Sequence, residues 1–329
     1  MAVPETRMPR PDTGLIGPER ATMGDVDALN RLFAEAFTDR YHRDGMSSVR
    51  VPYLSREIWR YAIEDAGEGA MIWRDEDGQL AAFNMVHLSG VEGWMGPLAV
   101  RPALQGGGAG GQVVRSGISW LRRRGAKVLG LETMPRTVDN IGFYSRIGFA
   151  PGHLTVTVVR ELNGRAPERA TGRMVSRSDN PEALFAAARE LTESLTPGID
   201  YTRELSLTLD LGLGDTTILE GQDGRPLAFA LWHTAALAQG RPNDELRILK
   251  VAARDLAAFR ALLRAIEGHA MSRGTIQRVS LRCQTSYREA YLSLLDDGYR
   301  VHWTDLRMTM PDAPEQNAAP GVVMSNWEI

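Results

Sequence analysis

Residues 105–111 read Gln105-Gly106-Gly107-Gly108-Ala109-Gly110-Gly111, directly after the apolar run Pro97-Leu98-Ala99-Val100 and before a stretch at 112–124 with helical spacing. A strand that turns through glycines into a helix presents a nest of backbone N–H groups at the positive end of the helix dipole, which suits phosphate oxygens. Side chains in such a turn would hold a pyrophosphate away, and glycine removes them. The expected ligand is therefore a phosphorylated cofactor.

Other readings of the glycines separate on sequence grounds. A P-loop needs Lys-Ser or Lys-Thr after its last glycine, and neither is present. A dinucleotide fingerprint belongs near the start of a βαβ domain, with an acidic residue ending the next strand. Here the run lies about a hundred residues in, after a hairpin pattern, but Glu132 stands at a fitting distance, so a nicotinamide-dependent oxidoreductase stays open. A merely flexible loop would more often mix serine with its glycines.

The elements that must position this loop follow from periodicity. A short strand and a helix are expected over 20–37, with Asp25 as N-cap and Val26, Leu29, Leu32, Phe33 and Phe37 on one face. A second helix is expected at 55–65, then a hairpin of 70–74 and 80–88 around Asp75-Glu76-Asp77-Gly78. A strand at 94–100 enters the glycine run. The following helix turns Val113, Val114, Gly117, Ile118 and Leu121 to one side and stops at Gly125. A strand at 128–134, a short helix at 138–147 and a strand from Phe149 to Glu161 complete the unit.

Residues 163–173 are polar, with glycine and proline, and read as a linker. Beyond them the pattern returns. Phe83 and Phe229, Val100 and Val251, Gly125 and Gly274, and Gly148 and Gly298 correspond at offsets of 146, 151, 149 and 150. Such regular spacing marks a duplicated domain. The expected organisation is a disordered lead-in (1–16), a first domain (17–162), the linker, a degenerate second domain (174–312) and a tail (313–329). The second copy has Ala252-Ala253-Arg254-Asp255-Leu256 where the first has glycines, and Leu294 where the first has Tyr144. It is expected to shape a cleft or mediate association, a homodimer included, rather than to hold phosphate. Trp232, His233, Tyr287 and Tyr291 are candidates for the cleft, with the core the stronger reading for the aromatics.

Composition narrows the rest. A chain of 329 residues with net charge -3 gives no electrostatic case for a nucleic-acid partner. No apolar run reaches membrane-spanning length. One cysteine, Cys283, excludes an intrachain disulfide and a cysteine-based zinc cluster, so no metal is expected and a cytoplasmic location is the default. Cys283 sits in a strand-like run and is expected to be structural.

At this point the first half resembles the GNAT superfamily of acyl-CoA-dependent N-acyltransferases. The resemblance rests on Leu98-Ala99-Val100-Arg101-Pro102 followed by Gln105-Gly106-Gly107-Gly108-Ala109-Gly110, similar to the family's [RQ]-x-x-G-x-[GA] loop. It rests also on Asn140-Ile141-Gly142-Phe143-Tyr144-Ser145-Arg146-Ile147-Gly148-Phe149, similar to N-x-x-x-x-Y-x-x-x-G-F. It covers about 17–161, and it covers 174–310 as a motif-poor tandem copy. The resemblance implies an α/β (α+β) fold of two domains, each a mixed, splayed sheet flanked by helices.

It also implies roles. Free backbone groups of Leu98, Ala99 and Val100 would pair with the pantetheine arm of acetyl-CoA like an added strand. The N–H groups of 106–111 would hold its pyrophosphate, although Gln105 stands where many members have arginine. Tyr144 would protonate the departing thiolate, and Asn140 would orient near the pantetheine or simply cap its helix. A base must deprotonate an amine acceptor. Glu92, on strand parity with Leu98, Glu132 on the next strand and His87 on the hairpin are the candidates. The charged run 37–52, with Tyr41 and His42, is a candidate acceptor wall. The acceptor is expected to be a small amine or a peptide. A CoA-binding sensory or scaffolding module without turnover is the alternative.

Overall fold

The computed structural model describes residues 13–162 and 172–327, so most of the expected lead-in and linker lies outside the described residues. The chain begins with β1 (Ile16–Arg20), α1 (Val26–Arg43) and α2 (Arg56–Ala66). It continues through β2 (Ala70–Arg74), β3 (Leu80–Ser89), β4 (Glu92–Val100), α3 (Ala109–Arg123), β5 (Val128–Thr133), α4 (Val138–Ile147) and β6 (Ala150–Glu161). The same order of strands and α-helices then recurs: β7 (Arg173–Met174), α5 (Pro181–Leu195), α6 (Thr202–Asp210), β8 (Gly214–Glu220), β9 (Pro226–His233), β10 (Glu245–Ala253), α7 (Leu256–Arg273), β11 (Arg278–Gln284), α8 (Arg288–Asp296) and β12 (Arg300–Thr309). A last strand, β13 (Val322–Ser325), has no counterpart in the first half. It falls in the segment expected as a tail.

Local chemistry fixes the ends of these helices. Ser55 caps α2 by accepting a hydrogen bond from the Ile58 N–H. Gly148, at φ 118, closes α4 in the left-handed conformation. Helix α3 starts at Ala109, so Ala109, Gly110 and Gly111 form its first turn rather than a loop before it.

The strands form one sheet in the order β1-β2-β3-β4-β5-β12-β6-β11-β10-β9-β8-β7, with β13 beside β10. The two halves exchange their last strands. β12 lies between β5 and β6, and β6 lies between β12 and β11. Neither half therefore completes its sheet alone. β6 is rich in β-branched residues, with Val156 and Val158 buried, as a strand flanked on both sides requires.

Helices cover both faces. In the first half, α1 and α2 pack on Ile72, Phe83, Met85 and Ala99. On the other face α3 packs on Val86, Met95, Val100, Leu129 and Leu131. Gly117 lets α3 sit close, since a Cβ there would lie 2.5 Å from Met95 Sδ.

Candidate active site

The groove originates in β4. Glu92–Met95 pair in parallel with Val128–Leu131 of β5. Opposite β3, Met95 pairs with Val86 but Leu98 pairs with Asn84, so Gly96-Pro97 inserts a bulge. Pro97 has no N–H to donate, and a bulge ends a ladder. Beyond it Leu98, Ala99 and Val100 pair with β3, and among the described residues no strand pairs with their other edge, toward β5, where the Val100 carbonyl accepts only from the Gln105 side chain.

That edge leads into the glycine nest. Gly106 and Gly108 have φ of 85 and 94, a conformation glycine adopts without penalty. A Cβ at Gly106 or Gly107 would meet nothing within 4 Å, so the space before them is open. Gly108, the N-cap of α3, has no side chain to satisfy the N–H groups of the first turn. Those donors and the open space fit a diphosphate. Gln105 braces the loop instead of facing it: its Nε2 donates to the Val100 carbonyl at 2.9 Å, and its Oε1 accepts from Arg43 at 3.4 Å. Arg43, and Arg115 beside Gly111, bring the positive charge that Gln105 lacks.

Tyr144 lies on α4 in the same apolar cluster as Ala109 and Val113 of α3, and its neighbour Phe143 comes within 3.2 Å of a Cβ placed at Gly110, which sets α4 beside the nest. Its ring packs on Phe143 and Phe149. Burial raises its hydroxyl well above the usual phenol range, so it stays protonated and able to donate. Asn140 does not cap α4, whose N-cap is Thr137. It donates to Thr133 Oγ1 at 3.4 Å and ties α4 to the end of β5.

The structure separates the three expected bases from the groove or from free lone pairs. Glu92 was expected to share a face with Leu98. The bulge adds a residue, and parity reverses: Leu98 packs with the α3-side cluster, whereas Glu92 turns to the opposite face. Glu92 is 3 % exposed, at the closed end of the β4–β5 pair, and accepts hydrogen bonds from Tyr201 (3.0 Å) and Ser325 (2.9 Å). His87 is buried against Asp65, Nδ1 to Oδ2 at 2.5 Å. Glu132 reaches the open end, yet both oxygens are engaged. Oε1 accepts from Thr155 (2.5 Å) and Arg307 (2.9 Å), and Oε2 accepts from Arg282 (2.5 Å). Burial raises its pKa, but the two guanidinium groups outweigh burial and hold it low.

Residues that sequence reasoning left out stand beside Glu132. Arg282 of β11 also donates to Asp305 of β12 at 2.8 Å. Trp303, 39 % exposed, meets Tyr41 of α1 at 6.2 Å between ring centroids. Tyr41 falls in the run read as a candidate acceptor wall. Nothing local marks Asp305 or Trp303, because a pairing between strands far apart in sequence brings them here. Trp232, His233 and Tyr287 are buried in the second half.

The second half has the same groove, filled. Glu245–Ile248 of β10 pair with β11, a bulge follows at Leu249, and Lys250–Ala253 then pair with Val322–Ser325 of β13. The strand lies where the first half leaves its edge free. At the head of α7, Asp255 caps the helix with its own carboxylate, accepting from Ala258 N at 2.8 Å, so the anion position is taken. Leu294, opposite Tyr144 in the copy, is fully buried. A cavity of about 420 Å³ near Arg173, Asn180 and His269 shares no residue with the first-half groove. Among the described residues no group of His, Cys, Asp and Glu is arranged to hold a metal.

Residues 26–149 match the acetyltransferase (GNAT) family, and this part of the chain is a GNAT domain. The whole chain is similar in fold to a GCN5-related N-acetyltransferase from Sphaerobacter thermophilus, with 21% identity, 93% of this chain and 98% of that one covered, and a TM-score of 0.57. It is similar to a tandem GNAT protein from the clavulanic acid biosynthesis pathway, at 11% identity, 92% and 99% coverage and a TM-score of 0.60. Saccharomyces cerevisiae N-myristoyltransferase with bound myristoyl-CoA is similar at 12% identity, 97% and 88% coverage and a TM-score of 0.61. No match was found among curated proteins. The fold is thus that of two tandem GNAT-like domains, and at family level it supports an acyl-CoA-dependent N-acyltransferase.

Proposed function

We propose that this protein transfers an acetyl group from acetyl-CoA to a primary amine by direct attack in a ternary complex. The observation that supports it is the unpaired edge of Leu98, Ala99 and Val100 running into an open glycine nest, with Tyr144 at its side. The edge would pair with the pantetheine amides, and the N–H groups of Gly106 to Gly111 would hold the diphosphate. A free strand N–H near Leu98 would steady the oxyanion as the nitrogen attacks the acyl carbon. Tyr144 would then protonate the leaving thiolate. Holding both reactants in line supplies much of the rate. The lone buried Cys283, its thiol pushed up by burial to about 12, suits a reducing compartment such as the cytoplasm.

The test is release of free CoA thiol against a panel of small amines and peptides. An amine-dependent rate well above background is expected. Tight binding of acetyl-CoA with no acceptor-dependent release would favour a binding module instead.

A further inference from the structure

We propose that Asp305, carried by the last strand of the second half, is the base that takes a proton from a cationic amine acceptor, and that Tyr41 and Trp303 wall the pocket holding that amine. The inference rests on the transferase reading above and adds to it the source of the base.

Register sets the level. Met95 of β4 lies opposite Leu131 of β5, and Thr133 of β5 lies opposite Leu306 of β12. Counting on, Asp305 comes level with position 134, just past the end of β5, and Leu98, whose strand loses one level to the bulge at Gly96-Pro97, comes level with Thr133, one residue away. They face each other across the open end of the sheet, separated by two strand spacings, about 9.6 Å before the splay is added. An acyl thioester and an amine fit between them.

Alternation sets the face. Glu132 and Arg307 are direct partners, and Asp305 lies two residues from Arg307 on the same side, away from the α3 cluster. The charged and titratable groups around it are Arg282 from β11, Glu132 from β5 and Tyr41 from α1. Asp305 differs from Glu132 in what it leaves free. Its Oδ2 accepts from Arg282 at 2.8 Å, and among the described residues its Oδ1 receives only a long 3.3 Å contact from the Trp303 indole. Glu132 is committed to two arginines and a threonine. Burial, then Glu132, raise the Asp305 pKa against the pull of Arg282, which makes it a stronger base than an ordinary aspartate. The exposed Trp303 ring, edge-on to Tyr41, offers a face to an alkylammonium.

The protons balance. Asp305 removes one N–H proton from the ammonium and later yields it to solvent. The nitrogen forms its bond to the acyl carbon, the C–S bond breaks, and the second N–H proton reaches sulfur by way of Tyr144. The products are the amide, free CoA thiol and one proton.

The experiment compares wild type with Asp305→Asn, using an amine found in the thiol-release panel. The expected loss in kcat/KM at pH 7 is about 100-fold, with the acetyl-CoA Kd within about twofold of wild type. The deficit is expected to shrink as pH rises toward the pKa of the amine, because free amine needs no base. A variant within about tenfold of wild type, or one whose deficit is constant with pH, overturns the proposal. Should Asp305→Asn fail to bind acetyl-CoA, Asp305→Ala titrated with formate decides: recovered turnover supports the role and no recovery overturns it. A wild-type protein that releases no thiol with any amine overturns the transferase reading itself, a result distinct from a normal wild type with an indifferent Asp305 variant.

Discussion

Ser325 donates a hydrogen bond to Glu92 at 2.9 Å, across 233 positions of chain. The bond ties the end of β13 to the closed end of the β4–β5 pair. It joins the segment that fills the second groove to the domain that leaves its own groove open. Trp327, just beyond, stacks on His87, meets Trp94 at a tilt and lies under the Lys250 ammonium at 3.6 Å. Both halves therefore hold β13 in place.

One consequence is stoichiometric. With β13 paired along Lys250–Ala253 and Asp255 capping α7, the second half has its edge filled and a carboxylate standing at the helix N-terminus. Isothermal calorimetry is expected to find one acetyl-CoA per chain. Two equivalents would mean that β13 leaves its groove.

A second consequence separates binding from folding. Gly107 has open space before it and no positive φ, so the Cβ of Gly107→Val enters open space with no atom within 4 Å. Its side chain would instead stand where the diphosphate is proposed to lie. The melting temperature is expected to stay within about 2 °C of wild type, a surface-like change. The acetyl-CoA Kd is expected to rise about tenfold or more, or about 1.4 kcal/mol. Unchanged affinity would move the nucleotide elsewhere.

The open groove was legible because its signals are local. The glycine run, the Asn140 to Tyr144 spacing and the hairpin strands are set by turn chemistry and short-range periodicity. The repeat followed from the same markers recurring. What stayed hidden was non-local. Asp305 reads as one acid in a degenerate copy until β12 is seen between β5 and β6. Glu92 was assigned a face by alternation, which a bulge reverses, and alternation says nothing of level along the strand. In α6, Leu205, Leu207 and Leu209 alternate with polar residues, a strand-like rhythm in what is a helix burying Leu205 and Thr208. β13 spans four residues and its identity comes from the slot it fills.

Tyr144→Phe tests the acid. The ring packs on Phe143 and Phe149, apolar partners that do not need the hydroxyl, so its loss leaves that packing intact. Fold and acetyl-CoA affinity are expected to hold. Steady-state kinetics are expected to show kcat down about 100-fold, the usual contribution of a positioned acid. A kcat equal to wild type would remove Tyr144 from the step.

Glu204 sets an upper limb to stability against pH. It lies on α6 with Ser89 donating to one oxygen, close to the Asp65–His87–Arg203 group. Burial, then Asp65, raise its pKa from 4.5 to about 7, against the opposing pull of Lys250 and Arg203. The folded protein thus holds this proton more tightly than the unfolded chain. The stability it contributes is full below about pH 4.5 and is lost as pH rises through about 7. Asp65 has the opposite sign. Burial raises it, but His87, Arg203 and Lys250 outweigh burial and hold it near 2, so its contribution is present above 3.8 and lost only in strong acid. Glu204→Gln keeps the acceptor for Ser89 and removes the titration. Scanning calorimetry is expected to give the variant a higher melting temperature than wild type at pH 8, with the gap closing toward pH 5. Parallel curves for the two proteins across that range would show that Glu204 keeps an ordinary pKa.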